Sequence, residues 1–377
     1  MKDENRKKEE GKSDTSLKTQ GHASPSATIC LNMIVKNESH VICRCLESVK
    51  PFITHWVIAD TGSIDGTQAI IKDFLKDVPG ELYERPWVDF AHNRNEALKL
   101  AQGKADYVLF IDADQVLHFE SGFEFPDLDK DVYFIHEIDG NDKCLRMWLV
   151  NNRLHWTWHW VLHESIIVPP GRTQAFLPGV HYTSPHDGAR SQDPQKLHKD
   201  REVLEEALKK DPNNSRYHFY LALTYAALGE YELALKHFEE RIRLGGGDEE
   251  VFWSMLNKGM NQEMLQMPES IVTMSYFNAY KQFPMQAEPI YGLAQYYRRA
   301  KKYNDAYLFA RGGLTIKEPE GALFVKPWIY EYGLLFEFLQ SAIALRKYDE
   351  AQDASQKLLS NPNLPIDIRK QVQDLMR

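Results

Sequence analysis

"YVLFIDADQ", Tyr107 to Gln115, runs an apolar stretch straight into two carboxylates spaced one residue apart. A continuous apolar run of this length is the pattern of a strand buried on both faces. If the strand continues, Asp112 and Asp114 fall on the same side of it. Two like charges so placed repel unless a cation or a proton lies between them. The stretch therefore predicts a buried strand with an acidic, cation-accepting rim at its carboxyl end.

The neighbouring sequence repeats that texture. "ATICLNMIVK" (27–36) and "HWVIADTGSIDGT" (55–67) read as buried strands, the second ending in a polar, Gly-containing turn. "HVICRCLESVKPF", "TQAIIKDFLKD" and "FAHNRNEALKLAQG" have helical spacing, the last closed by Gly103, and "ELYERPW" is a short strand. Strands alternating with helices imply a largely parallel sheet with right-handed crossovers. Such sheets bind ligands at the carboxyl ends of their strands, where Asp60 and Asp112 stand. After Asp131, "VYFIHEI", "CLRMWLVNN", "LHWTWHWVLHESIIV" and "AFLPGVHYTS" are aromatic and β-branched, which predicts a mixed or antiparallel extension of the sheet. "PHDGARSQDPQ" reads as a polar loop.

From Lys196 onward the chain reads as helix. "YLALTYAALGEYELALKHF" sets Leu221, Ala222, Tyr225, Gly229, Tyr231, Ala234 and Phe238 at tetratricopeptide spacing. "YGLAQYYRRAKKYNDAYLFA" repeats it with Leu293, Ala294, Tyr297, Tyr303, Ala306 and Ala310. Leu221 and Leu293 are 72 residues apart, two repeats of 36, so a degenerate unit should fill 249–284. A last copy shows in "YDEAQDASQKLLSNP". The competing reading is a generic helical bundle. The predicted organisation is a polar tail at 1–27, an α/β domain at 28–195 and helical repeats at 196–377.

Composition narrows the function. The 377 residues carry a net charge of −9 and are 43% hydrophobic, a soluble globular composition that argues against nucleic acid as partner. No run approaches the ~20 apolar residues of a spanning helix. The tail is polar and lacks the apolar core of a signal peptide, so the expectation is a cytoplasmic protein and a disordered tail. The sequons at Asn37 and Asn213 then carry no meaning. The four cysteines, Cys30, Cys43, Cys45 and Cys144, make no metal or disulfide framework.

Three features converge on the sheet's carboxyl edge. Asp112 and Asp114 suit a hard cation, Mg²⁺ or Mn²⁺, with positions left for phosphate; the alternative is two solvated turn aspartates. Asp60 suits a nucleobase N–H or a ribose hydroxyl; the alternative is a helix N-cap, for which Asp65 or Ser63 serve equally. Arg94, in the first turns of its helix, suits a forked contact to a diphosphate, or is a surface arginine.

Taken together, "MIVKNES…CLESV…VIADTGSIDGT…RNEAL…VLFIDADQ" closely resembles the nucleotide-binding half of family-2 glycosyltransferases, which have a GT-A fold. "LRMW", "LHES" and "GVHYTS" resemble motifs of bacterial members. With its repeats, the chain looks like bacterial proteins that fuse such a transferase to tetratricopeptide repeats. The resemblance implies a nucleotide diphosphate sugar donor, usually uridine-linked, and inversion at the anomeric carbon. It implies that Val35, Lys36, Asn37 and Glu38 line the nucleotide site, with Asp60 at the base or ribose. Asp112 would face ribose or metal and Asp114 would hold the metal. His181 matches a histidine that completes metal coordination. Glu164, in "HE", is the implied general base, with Asp187 its rival. Arg146 and Arg190 would add positive charge for the diphosphate. Gln115 stands where many members have an acid. Acceptors in related bacterial enzymes are carbohydrates, lipid-linked glycans or peptides, and the repeats suggest a protein partner.

Other readings compete. The repeats suit a non-catalytic scaffold carrying a degenerate transferase module. A nucleotidyltransferase would need a Gly-rich signature that "CLNMIVKNES" lacks. His155, His159 and His163 recur every four residues, but Trp160 stands where a zinc-protease motif needs Glu. "GKS" at 11–13 lacks the rest of a phosphate loop.

Overall fold

The computed structural model describes residues 26–319 and 324–377; apart from residues 26 and 27, the predicted tail lies outside them. Strands β1 (Ile29–Val35), β2 (His55–Asp60), β3 (Gly80–Glu84) and β4 (Tyr107–Phe110) alternate with helices α1 (Ile42–Val49), α2 (Thr67–Phe74) and α3 (Phe90–Ala101). All four strands are parallel, in the order β3-β2-β1-β4. Nearly every residue of β1 is buried, as its unbroken apolar run requires. Helix α1 buries Ile42, Cys45, Leu46 and Val49, one face at helical spacing, on the sheet. Asp89 caps α3 by accepting from the His92 N–H at 2.7 Å, a contact worth about 1 kcal/mol.

The sheet continues as a mixed one. It runs through β7 (Asp142–Asn151), β6 (Val132–Asp139), β10 (Gln174–Thr183) and β5 (Val116–Phe119), with β7 antiparallel to both β4 and β6. The Trp-rich segment departs from the predicted strand. Only β8 (Trp158–His159) and β9 (Ser165–Ile166) pair there. Between them Trp160 and His163 take left-handed backbone, φ +71° and +54°, which no strand tolerates, so the chain doubles back.

The second half is helical: α4 (Lys196–Lys210), α5 (Ser215–Ala227), α6 (Tyr231–Leu244), α7 (Asp248–Met264), α8 (Glu269–Gln282), α9 (Glu288–Arg299) and α10 (Tyr303–Gly313). After β11 (Phe324–Val325) and a π-helical turn (Ile329–Gly333) come α11 (Leu334–Ala344), α12 (Tyr348–Ser360) and α13 (Ile366–Leu375). The two matching sequence copies are the pairs α5–α6 and α9–α10, with α7–α8 between them. Their small residues Ala222, Ala234, Ala294, Ala306 and Ala310 are fully buried and let paired helices approach closely. Gly229 turns α5 into α6 with φ +78°.

The halves share a core. Leu162, with Phe90, Trp160 and Val161 against it, packs on Leu204, Tyr217, Leu221 and Phe238 of the helices. Strand β11, sent back from the helical half, pairs with Lys143 and Cys144 on the edge of β7 that short β4 leaves open. Lys326 clinches it with an ion pair to Asp142 at 2.7 Å. Among the described residues no helix is long and apolar enough to cross a membrane.

Candidate active site

The loops after β1 and β2 are stitched together. Asn37 takes φ +57°, a conformation asparagine tolerates, donates its backbone N–H to Ser63 Oγ (2.8 Å) and accepts the Ile64 N–H on Oδ1 (2.8 Å). Glu38 N–H donates to Thr67 Oγ1 at 2.8 Å and Ser39 N–H to Asp65 Oδ2 at 3.0 Å. Val35, Lys36, Asn37 and Glu38 are thereby held on the wall of a large cleft. Asp60 is 1% exposed and lies beneath that wall, which Thr61 reaches instead. Its Oδ1 accepts from Gly62 N, Ser63 N and Gln68 Nε2 at 2.9, 2.8 and 3.0 Å, while buried Oδ2 has no hydrogen-bond partner among the described residues. Burial would raise Asp60, but the bonds from Ser63, Gln68 and Gly62 outweigh it and hold the carboxyl below its usual range. Asp65, not Asp60, serves the start of α2, accepting from Thr67 N at 3.1 Å and Thr67 Oγ1 at 2.6 Å.

Asp112 and Asp114 do not share a strand face. β4 stops at Phe110, and Asp112–Gln115 is a turn closed by the Gln115 N–H to Asp112 O at 3.0 Å. Gln115 explains the turn. Its Oε1 accepts the Asp112 N–H at 2.9 Å and its Nε2 donates to Ser184 Oγ at 3.2 Å. A carboxylate there would lack that second donor. Both acids still line the cleft, and Glu38 joins them. Burial first, then the charge of Asp112, raises Asp114 above the usual carboxyl range. Burial, then Asp114 and Asp112, push Glu38 up to about 7 against the pull of the Ala189 N–H. Burial and the neighbouring carboxylates together disfavour charge on Glu38 and Asp114.

Arg94 is neither a surface residue nor a free diphosphate clamp. It is buried, its Nη2 2.7 Å from Asp112 Oδ1 and its Nε 2.5 Å from Glu164 Oε1. Burial would lower it, yet the two carboxylates hold it above the ordinary guanidinium value. One guanidinium so ties the acidic turn to the "HE" segment. The Glu164 side chain is 11% exposed and lines the cleft, with Oε1 bonded to Arg94.

Two predicted residues are elsewhere. His181 stacks on His118 with ring centroids 5.3 Å apart; along β10 it alternates with Tyr182, which faces the cleft, so His181 is on the opposite sheet face. It is His186 that lines the cleft, 3.0 Å from Asp139 and close enough to Asp114 to temper its rise. Asp187 forms a forked pair with Arg44 (2.7 and 2.9 Å) and does not line the cleft. The Arg44 bond, outweighing slight burial, holds Asp187 below the usual carboxyl range, the opposite of what a proton acceptor needs. Arg44 also donates to Asp114 O at 3.1 Å, so this pair anchors the acidic turn.

Sequence reasoning missed Gly188, where an added Cβ would lie 2.8 Å from Asp114 Oδ2. Nothing in "HDGAR" marks a glycine as needed against an acid far away in sequence. Arg146 pairs with Glu137 at 2.6 Å and Arg190 with Asp200 at 2.5 Å, both on the cleft wall. The cleft measures about 1260 Å³, and α5, α7 and Lys326 of the helical half form part of it. Among the described residues no three His, Cys, Asp or Glu side chains converge to hold an ion. Two carboxylates on the cleft, Asp112 also paired with Arg94, suit a hard divalent cation that takes its remaining ligands from phosphate and water.

Residues 30–123 match the family model for glycosyl transferase family 2, and residues 203–236 match one for a tetratricopeptide repeat. A TPR repeat-containing protein of Synechococcus elongatus is 37% identical over 99 residues, 26% of this chain and 23% of that protein. The prophage-derived glycosyltransferase SunS of Bacillus subtilis is 28% identical over 237 residues, 58% of this chain and 54% of that protein. The chain thus spans about a quarter to about half the length of these curated relatives. A thermophilic TPR protein of Thermus thermophilus superposes with a TM-score of 0.36 at 14% identity, over 48% of this chain and 91% of that one.

Proposed function

We propose that this chain, which carries a family-2 glycosyltransferase domain at residues 30–123 and a tetratricopeptide repeat at 203–236, moves a sugar from a nucleotide diphosphate donor, a uridine diphosphate sugar, to an acceptor hydroxyl or thiol. The observation that carries the reading is that Glu38, Asp112 and Asp114, which follow the carboxyl ends of parallel strands, line one cleft with Glu164. Glu38 and Asp114, raised by burial first and by neighbouring carboxylates next, would ionise more readily beside a bound cation.

The loops at 35–38 and 61–64 cradle the nucleoside. Asp112 and Asp114 hold Mn²⁺ or Mg²⁺, which when bound would neutralise the diphosphate as it leaves. Glu164 Oε2 takes the acceptor's proton. The acceptor oxygen or sulfur forms a bond to the anomeric carbon. The opposite bond, to the diphosphate oxygen, breaks and its electron pair leaves with the nucleotide, inverting the carbon. Arg94 keeps Asp112 and Glu164 in register.

Calorimetry with uridine diphosphate, with and without Mn²⁺, followed by a screen for hydrolysis of nucleotide sugars with and without EDTA, tests this. Asp114→Asn should lose metal-dependent binding by at least about tenfold with the fold intact. A wild-type chain that neither binds the diphosphate nor hydrolyses any nucleotide sugar would overturn the reading and favour a scaffold.

A further inference from the structure

The turn that carries Glu164 is not held by its own sheet. Trp160 and His163 break it with left-handed backbone, and β8 and β9 pair over only two residues each. On one side α3 reaches it, through Arg94 to Glu164, the Phe90 N–H to Val161 O at 3.3 Å and Asn95 to Trp158; on the other it is gripped by α5, the first helix of the α5–α6 pair. Arg216 donates to the His163 carbonyl from Nε at 3.2 Å and from Nη2 at 2.9 Å. The Tyr220 ring lies flat on the His163 ring, centroids 3.8 Å apart and planes 8° from parallel. Arg216 also sits over the Trp160 ring at 4.5 Å and donates to Tyr220 Oη at 3.2 Å. Its remaining bond, to Glu250 on α7, roots the clamp in the next repeat.

A strained backbone conformation persists where surrounding structure over-determines it. Around His163 that structure is the helical half. We propose that Arg216 and Tyr220 are positioning residues: the repeats hold the His163–Glu164 turn so that Glu164 meets the acceptor, and the transferase site is incomplete without them. The proposal rests on the reading of Glu164 given above. It predicts that the repeats act on the chemical step and leave donor binding alone, because α5 grips the turn and touches neither the 35–38 loop nor the acidic turn in any hydrogen bond described.

The experiment uses the full chain with Tyr220→Leu, Tyr220→Phe and Arg216→Ala. Amide exchange of the peptide over 158–168 is read against one over 29–60, alongside the affinity for uridine diphosphate with Mn²⁺ and kcat for hydrolysis of the most active nucleotide sugar. Tyr220→Leu and Arg216→Ala should lose protection at 158–168 alone. They should keep diphosphate affinity within about twofold and lose about 10²-fold in kcat, the cost of a misplaced catalytic group. Tyr220→Phe, which keeps the stack, should restore most of the protection and rate. Protection unchanged in both disruptive variants overturns the proposal; so does a parallel loss over 29–60, which marks general unfolding. If wild type hydrolyses no sugar, the function fails on its own, while the exchange measurement still reads the clamp.

Discussion

Arg94 is the side chain on which the site turns. It is buried between Asp112 and Glu164, and removing it leaves two uncompensated carboxylates. Breaking a buried pair in this way costs about 3–5 kcal/mol. Arg94→Ala should therefore lower the denaturant midpoint by that equivalent, and Arg94→Lys should recover only part of it, since an ammonium cannot fork. Unchanged midpoints would remove the strut. Glu164→Gln should cut kcat by about 10²–10⁴-fold while uridine diphosphate still binds. Asp187→Asn, which only loosens Arg44, should leave the acid limb of the pH–rate profile where it was; a shifted limb would reinstate Asp187 as the base. Gly188→Ala should press on Asp114 Oδ2 and weaken Mn²⁺-dependent diphosphate binding by about tenfold without unfolding, as calorimetry would show.

Among the elements, the helix pairs depend on close approach. A Cβ on Gly292 of α9 would stand 2.7 Å from the Tyr276 ring of α8, itself buried, with its hydroxyl bonded to Glu263 at 2.5 Å. The ring has no room to yield, so Gly292→Ala should lower stability by about 1–3 kcal/mol despite the better helix propensity of alanine. A rise in thermal midpoint would mean that the α8–α9 contact is looser than drawn. The same logic explains why the repeat pattern was readable. Ala222, Ala234, Ala294 and Ala306 recur where helices cross, and local spacing alone marks such positions.

For the molecule as a whole, half-buried histidines set the response to acid. Burial first, with Lys143 and His181 nearby, pushes His136 down to about 4. Burial, with His218 and Lys236 outweighing Glu205 and Glu240, does the same to His237. Unfolded, both titrate near 6.5, so below that pH the unfolded chain binds more protons than the folded one. Their stabilisation is complete above 6.5 and is lost as pH falls towards 4. His163, also pushed down, to about 3, faces the open cleft and contributes less. Glu38 acts the other way: raised to about 7, it makes the folded chain hold the extra proton between 4.5 and 7, so its effect weakens stability as pH rises. With His118 and His163, four histidines are lowered against three raised acids, Glu38, Asp114 and Glu288, and the thermal midpoint should fall between pH 7 and 5. A flat profile would contradict the partial desolvation of both rings.

The chain's order of strands and helices, its acidic rim and its repeats were legible in the residues, because burial and helix pairing impose periodicities of two, 3.6 and 36 on contiguous stretches. The acids' neighbours were not. Asp112 with Arg94, Arg94 with Glu164, Asp114 with Gly188 and His163 with Tyr220 join residues from different elements, and no local period records such a pairing. His181 and His186 show the same limit: the motif named a histidine, but alternation along β10 turned the first one away and a loop brought the second one in. Left-handed backbone at Trp160 and His163 is equally invisible in a β-branched, aromatic stretch, because packing against α5 rather than local preference holds it there.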